Sequence, residues 1–267
     1  MSTITVDGVT KRFGDTVALE DVSFEIDEGE FTIVMGVSGS GKSTLLRCLS
    51  GLLEPTEGEI YIDGEPVTGT NKNVALIFQQ HNLVGQMSAY ANALTGSLSR
   101  CSLVESVLQL QDEEEKYRAL SALETVGLVD ESQKKVRQMS GGQQQRVGIA
   151  RALVQEPQVM LADEPVSSLD PGSAQEVMRY LRETTAERGL TTLTSLHQVN
   201  IARKFGHRFI GLHDGQKVFD GYRDDLTIDV IDRIYGDIDT EGMFVSDAET
   251  AGESSSPDGI EADGGRR

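Results

Sequence analysis

The sequence predicts an α/β fold: a mostly parallel core sheet, an N-terminal antiparallel β subdomain and a separate helical subdomain. Three observations carry that expectation. Unbroken β-prone or apolar runs at 31–35 (FTIVM), 158–162 (QVMLA), 190–196 (LTTLTSL) and 209–212 (FIGL) alternate with helix-forming stretches, as parallel strands buried on both faces do. The first 28 residues hold short alternating segments, ITVDGV and VALEDVSFEID, broken by Gly and Asp, which suggests antiparallel strands with turns. Between about 82 and 135 the chain is helix-prone and strand-poor, with a polar amphipathic piece at 111–126.

The elements follow in order. After FTIVM comes a Gly/Ser loop, and from Ser43 the stretch STLLRCLSGLL sets Leu45, Leu46, Leu49, Leu52 and Leu53 at helical spacing. The Glu54-Pro55 pair is expected to end that helix. Residues 58–67 (GEIYIDGEPV) read as a hairpin around Asp63-Gly64, a favoured two-residue turn. A further helix is expected near 173–188, between the second and third buried runs. Residues 237–267 are acidic, rich in Ser and Gly and poor in apolar groups, so they are expected to be disordered. The division that results is one domain at 1–236, its helical subdomain at about 82–150, and a tail at 237–267.

Bulk properties bound the function. A chain of 267 residues can bury a large core. No run of 18 apolar residues occurs, and MSTITVDGVT has neither a basic n-region nor an apolar h-region, so neither a membrane span nor a signal peptide is expected and the chain should be cytoplasmic. Cys48 and Cys101 lie far apart without metal-ligand spacing and read as small apolar fillers. The net charge of −19 weighs against nonspecific binding of nucleic acid or an anionic membrane. The tail contributes nine acids against two arginines, but the rest of the chain is acidic too, and only eight of 24 basic residues are lysines. Such a surface suits a cytoplasm of molar salt, where screening is nearly complete.

Residues 36–44 read GVSGSGKST and satisfy G-x-x-x-x-G-K-[ST] at Gly36, Gly41, Lys42 and Ser43. Glycines let a chain wrap phosphate oxygens with successive N–H groups pointing inward, and the helix that follows adds its positive N-terminus. The whole run, Gly36, Val37, Ser38, Gly39, Ser40, Gly41, Lys42, Ser43 and Thr44, is the candidate phosphate cradle. Lys42 would reach the β- and γ-phosphates and Ser43 would ligate Mg²⁺. A flexible turn is the plain alternative, but it explains neither the strand before nor the helix after. In QVMLADE, Asp163 ends an apolar strand where it can hold the Mg²⁺ shell, and Glu164 beside it can polarise an attacking water.

Residues 139–153, MSGGQQQRVGIARAL, set a Ser-Gly-Gly turn before a helix. This run resembles the signature motif of ATP-binding cassette (ABC) ATPases, with Met139 where Leu is usual. The segment DEPVSSLD at 163–170 resembles the family's Walker B end and D-loop, and Phe78-Gln79 its Q-loop. Phe13 stands where the family places an adenine-stacking aromatic, and His197, 33 residues beyond Glu164, where it places a switch histidine. His81, His207 and His213 match no such position. The matches fall in family order over about residues 3–225.

The resemblance implies an ATPase using ATP and Mg²⁺, with Glu164 and His197 catalytic and Ser43, Gln79 and Asp163 around the metal. It implies nucleotide contacts from Phe13, the cradle, Gln79, Ser140, Gly141, Gly142, Gln143 and Asp170. It also implies a sandwich in which the P-loop of one subunit and the Ser140–Gly142 turn of another enclose each ATP, so a second ATPase subunit is expected. With one cassette and no span, transmembrane permease subunits would be separate chains, which puts this one on the cytoplasmic face of the membrane as a peripheral subunit. Residues just after Gln79, in the 84–98 region, would meet the permease.

Two segments, FQQHNLVGQMSAYANALTGSLSR and SLHQVNIARKFGHRFIGLHDGQKVFDG, are similar to the ATP-binding subunit of phosphonate import systems, in which an extracytoplasmic substrate-binding protein also takes part. Most ABC relatives follow the histidine with Asp rather than Gln-Val. The alternatives are an exporter or lipoprotein-release ATPase, or a non-transport ABC ATPase of DNA repair, chromosome architecture or translation. The DNA-associated forms need longer insertions than the interval 43–140 allows, and the translation forms usually carry two cassettes.

Overall fold

The computed structural model describes residues 2–79, 82–99 and 113–236. Two sheets build the core. The first is antiparallel, in the order β2 (Thr16–Asp27), β1 (Ser2–Phe13), β4 (Glu57–Ile62), β5 (Glu65–Pro66). The β4–β5 turn uses Asp63 and Gly64, both at positive φ, as the Asp-Gly pair requires. The second sheet runs β10 (Gln216–Tyr222), β9 (Arg208–His213), β3 (Phe31–Met35), β8 (Thr191–Leu196), β7 (Val159–Asp163), β6 (Val74–Ile77). All its ladders are parallel except β10 on β9. β3, β7 and β8 are buried along their full length, which is why their sequences lack alternation.

Helix α1 (Lys42–Leu49) follows the glycine loop and buries Leu45, Leu46 and Leu49 completely between the two sheets, each leucine contributing about 1.5–3 kcal/mol. It ends earlier than the leucine spacing predicts. Gly51 turns at φ +71°, where an added Cβ would sit 1.8 Å from the Gly69 carbonyl oxygen. Only the backbone of glycine fits there, so Leu52 and Leu53 fall outside the helix, and Leu52 is exposed.

Helices α2 (Ala89–Leu94), α3 (Glu113–Thr125) and α4 (Gly141–Val154) pack on one another through Ala89, Ala93, Ala119, Leu123, Val147 and Ile149. At its C-terminal end α4 is tied to β6 and its flanks: Gln155 donates to the carbonyls of Lys72 and Val74, and Arg151 donates to the carbonyl of Asn82, beyond the strand, at 2.9 Å. Helix α5 (Pro171–Arg188) follows β7 and α6 (Val199–Phe205) follows β8. Helix α7 (Ile228–Tyr235) lays Ile231 and Ile234 on β9, with Ile234 packed over Gly211. The expectation for the tail at 237–267 lies outside the described residues, as do those for Cys101 and His81. Cys48 is fully buried, and desolvation raises its thiol to about 11.

Candidate functional site

The glycine loop leaves the C-terminal end of β3 and enters α1, at the edge where parallel sheets gather their ligands. Gly36, Gly39 and Gly41 all have positive φ. A Cβ at Gly36 would stand 2.3 Å from the Leu212 carbonyl oxygen, and one at Gly41 would stand 2.5 Å from that of Ala18. The loop is therefore held against β9 and β2 by contacts that only glycine permits. Lys42 is 4 % exposed and donates to the carbonyls of Gly36 and Val37, both at 2.8 Å. Burial lowers its pKa, while Glu164 and Asp163 oppose that shift.

Strand β7 delivers the two acids. Ser43 Oγ donates to Asp163 Oδ1 at 2.9 Å, so the loop hydroxyl and the strand-end carboxylate meet. Glu164 has φ +45°, an uncommon conformation for a residue with a side chain. One of its oxygens lies 3.9 Å from Lys42 Nζ and the other 3.7 Å from His197 Nδ1. Gln79 Nε2 reaches Ser167 Oγ at 3.3 Å, and Ser167 Oγ reaches the Glu164 carbonyl. Ala18, Ser38, Gly39, Gly41, Lys42, Ser43, Thr44, Gln79 and Glu164 line a cleft of about 230 Å³.

Other expected residues stand apart from that lining. Ser40 is buried beneath the loop, with no hydrogen-bond partner for its hydroxyl. Phe13 is half-exposed at the end of β1, with Lys11 Nζ 5.3 Å from its ring centre. Ser140 caps α4 reciprocally with Gln143: each side chain accepts from the other residue's backbone N–H. Ser140 and Gly141 are exposed and Gly142 packs on Ser173. None of the three lines the cleft of their own chain. Asp170 caps α5 by accepting from the backbone of Gly172 and Ser173, and hydrogen bonding from Ser173 lowers its pKa. His213 Nδ1 meets the Ile234 carbonyl and His207 stacks edge-on against Tyr222, both away from the cleft lining.

Three site neighbours escape sequence reasoning. Ala18 contacts the loop across the fold and gives no local signal. Ser167 lies inside the quoted DEPVSSLD segment, yet its bond to Gln79 spans 88 residues. Ser195 is one of four buried hydroxyl residues in β8, TTLTSL, so its type does not single it out in the sequence.

A parallel sheet whose first buried strand feeds a glycine loop, a buried lysine and a helix, with a neighbouring strand ending in carboxylates, defines a P-loop nucleotide-binding ATPase fold. The family model described as ABC transporter matches residues 19–167. The chain belongs to this family of ATP-binding proteins. It is 59% identical to the phosphonates import ATP-binding protein PhnC of Halobacterium salinarum, over 99% of this chain and 96% of that protein. It is 57% identical to the phosphonates import ATP-binding protein PhnC 2 of Haloquadratum walsbyi, over 94% and 89%. Among solved structures it superposes on the dimeric, ADP- and Pi-bound post-hydrolysis ATP-binding cassette MJ0796 with a TM-score of 0.71 at 36% identity, covering 82% of this chain and 98% of that one. A nucleotide-free ATP-binding cassette from an ABC transporter gives 0.76 at 26% identity, covering 88% and 95%.

Proposed function

We propose that this chain hydrolyses ATP to ADP and phosphate at the cytoplasmic face of a membrane and thereby powers import of a phosphonate or related phosphorus oxyanion. The observation that carries the chemistry is Glu164, held between Lys42 and His197 at the mouth of the glycine-loop cleft. The substrate class rests on the two phosphonate-import relatives, because substrate would not touch this subunit. Their organisms, Halobacterium salinarum and Haloquadratum walsbyi, also fit the salt-rich cytoplasm that the acidic surface suits.

In this reading the loop amides and Lys42 hold the β- and γ-phosphates, and Phe13 stacks on adenine. Glu164 accepts a proton from water as the water oxygen bonds to the γ-phosphorus and the bond to the bridging oxygen of ADP breaks. His197 orients Glu164 and contacts the γ-phosphate. Ser43, Asp163 and Gln79 offer a hard oxygen set, with the first two already 2.9 Å apart, and would hold Mg²⁺, which neutralises phosphate charge when bound.

Ser140, Gly141, Gly142 and Gln143 would act on the nucleotide of a second ATPase subunit, with Asp170 at the same junction. The exposure of Ser140 and Gly141 outside their own cleft supports this, as does the dimeric form of the cassette MJ0796. Among the described residues no helix is long and apolar enough to cross a membrane, so separate permease subunits would supply the path and an extracytoplasmic binding protein the cargo. The 84–98 region would meet the permease, and a groove of about 290 Å³ beside β6, lined by Leu76, Gly96, Leu98 and Arg151 among others, offers a place for it. In cells under phosphate starvation, Glu164→Gln should abolish uptake of a labelled alkylphosphonate while the purified variant keeps ATP binding. Turnover equal to the native chain would remove Glu164 as the base, and unchanged uptake by a deletion strain would remove the phosphonate assignment.

A further inference from the structure

We propose that Ser195 is a positioning residue for ATP hydrolysis, a role that rests on Glu164 being the base. Ser195 lies on β8, next to β7, with its side chain fully buried. Its hydroxyl donates to Asp163 Oδ1 at 2.9 Å and accepts from the Glu164 backbone N–H at 2.8 Å. The same Asp163 oxygen accepts from Ser43 Oγ. One hydroxyl thus joins the residue expected at the metal to the backbone of the residue expected at the water. It does so two residues before His197, which faces the Glu164 side chain.

The need for such a bridge follows from the Glu164 backbone. At φ +45° it occupies a conformation that costs a residue bearing a side chain free energy and persists only where its surroundings impose it. The hydrogen bond from Glu164 N to Ser195 Oγ is one restraint that imposes it, and the Ser167 contact to the Glu164 carbonyl is another. Removal of the Ser195 hydroxyl leaves a partly buried N–H without its acceptor and lets the Glu164 peptide relax toward an ordinary conformation. Its carboxylate then moves away from the line between Lys42 and His197. The loop amides and Lys42 contact the phosphates directly, so loss of the bridge reaches nucleotide binding only through Asp163, which keeps its bond from Ser43.

The test compares the full-length native chain with Ser195→Ala, Ser195→Cys and Glu164→Gln in molar KCl, at a concentration where turnover per chain no longer rises. Ser195→Ala should lower kcat at least tenfold while KM and the Kd for a fluorescent ATP analogue change less than threefold. Ser195→Cys keeps a donor and acceptor at this position, as a larger and weaker sulfur partner, and should fall between, and it decides the matter if the alanine variant does not fold. A folded Ser195 variant with kcat within twofold of native, beside an inactive Glu164→Gln, overturns the positioning role alone. Equal loss of kcat and ATP affinity also overturns it, because that marks general damage to the site. Native turnover by Glu164→Gln overturns the role of Glu164 and with it this one.

Discussion

Gly36→Ala and Gly39→Ala add the same methyl group to the same loop, and the structure predicts unequal consequences. Gly39 sits at φ +85° with nothing within 4 Å of an added Cβ, so its alanine suffers only backbone strain, about 1–2 kcal/mol. Gly36 sits at φ +155°, and its Cβ would meet the Leu212 carbonyl oxygen at 2.3 Å and Ser40 Oγ at 2.4 Å. The Leu212 oxygen belongs to β9, which is paired on both sides by β10 and β3 and cannot retreat. Overpacking therefore adds about 1–3 kcal/mol to the strain, for a total of about 2–5 kcal/mol. At roughly 2–4 °C per kcal/mol for a domain of this size, Gly39→Ala should lower Tm by about 2–8 °C and Gly36→Ala by about 4–20 °C. Thermal unfolding of both variants in the same high-salt buffer measures the pair. Equal losses of Tm would refute the claim that contact with β9, rather than positive φ alone, fixes the glycine at the head of the loop.

Besides the Glu164 and Ser195 variants, two further outcomes are expected. Ser140→Ala removes one half of the α4 capping box and should cost about 1 kcal/mol of stability. ATP binding by the isolated chain should persist while turnover at high protein concentration falls, and retained turnover would show that Ser140 does not act across a subunit junction. Cys48, whose thiol is raised by burial to about 11, should resist alkylation at pH 8 in the native chain and react after unfolding, as read by peptide mapping. Because the folded value lies above that of an exposed thiol, its contribution to stability is complete at pH 8. It is lost as pH rises from the exposed-thiol range through about 11, so a Cys48→Ala chain should show a flatter alkaline stability profile.

The legible parts of the fold were those whose environment is uniform. FTIVM is buried at every position, so its lack of alternation spoke directly, and the glycine loop declared itself because its spacing has one geometric use. Helix α1 misled because leucine spacing continues past the point where the close approach of Gly51 and Gly69 turns the chain, a contact that no local pattern records. Strand β6 leaves no legible signal, because four residues at the edge of a sheet carry too little periodicity. Helix α7 is not legible in the sequence, because its short apolar face gains meaning only from β9. At the site, residues with a motif were visible and those that support them were not. Ser195 lies 31 residues from Glu164, and its bond exists only because β7 and β8 are neighbours.

Helix α4 carries Ser140 at one end and the Arg151 and Gln155 ties to β6 and its flanks near its other end. Fourteen residues at about 1.5 Å each make it a rod of about 21 Å. A tilt of about 10° about either end would swing the opposite end by almost 4 Å, about the length of a hydrogen bond plus its tolerance. A rigid shift of α4 at the groove beside β6 would carry the capped glycine turn with it, since both sit on the same helix.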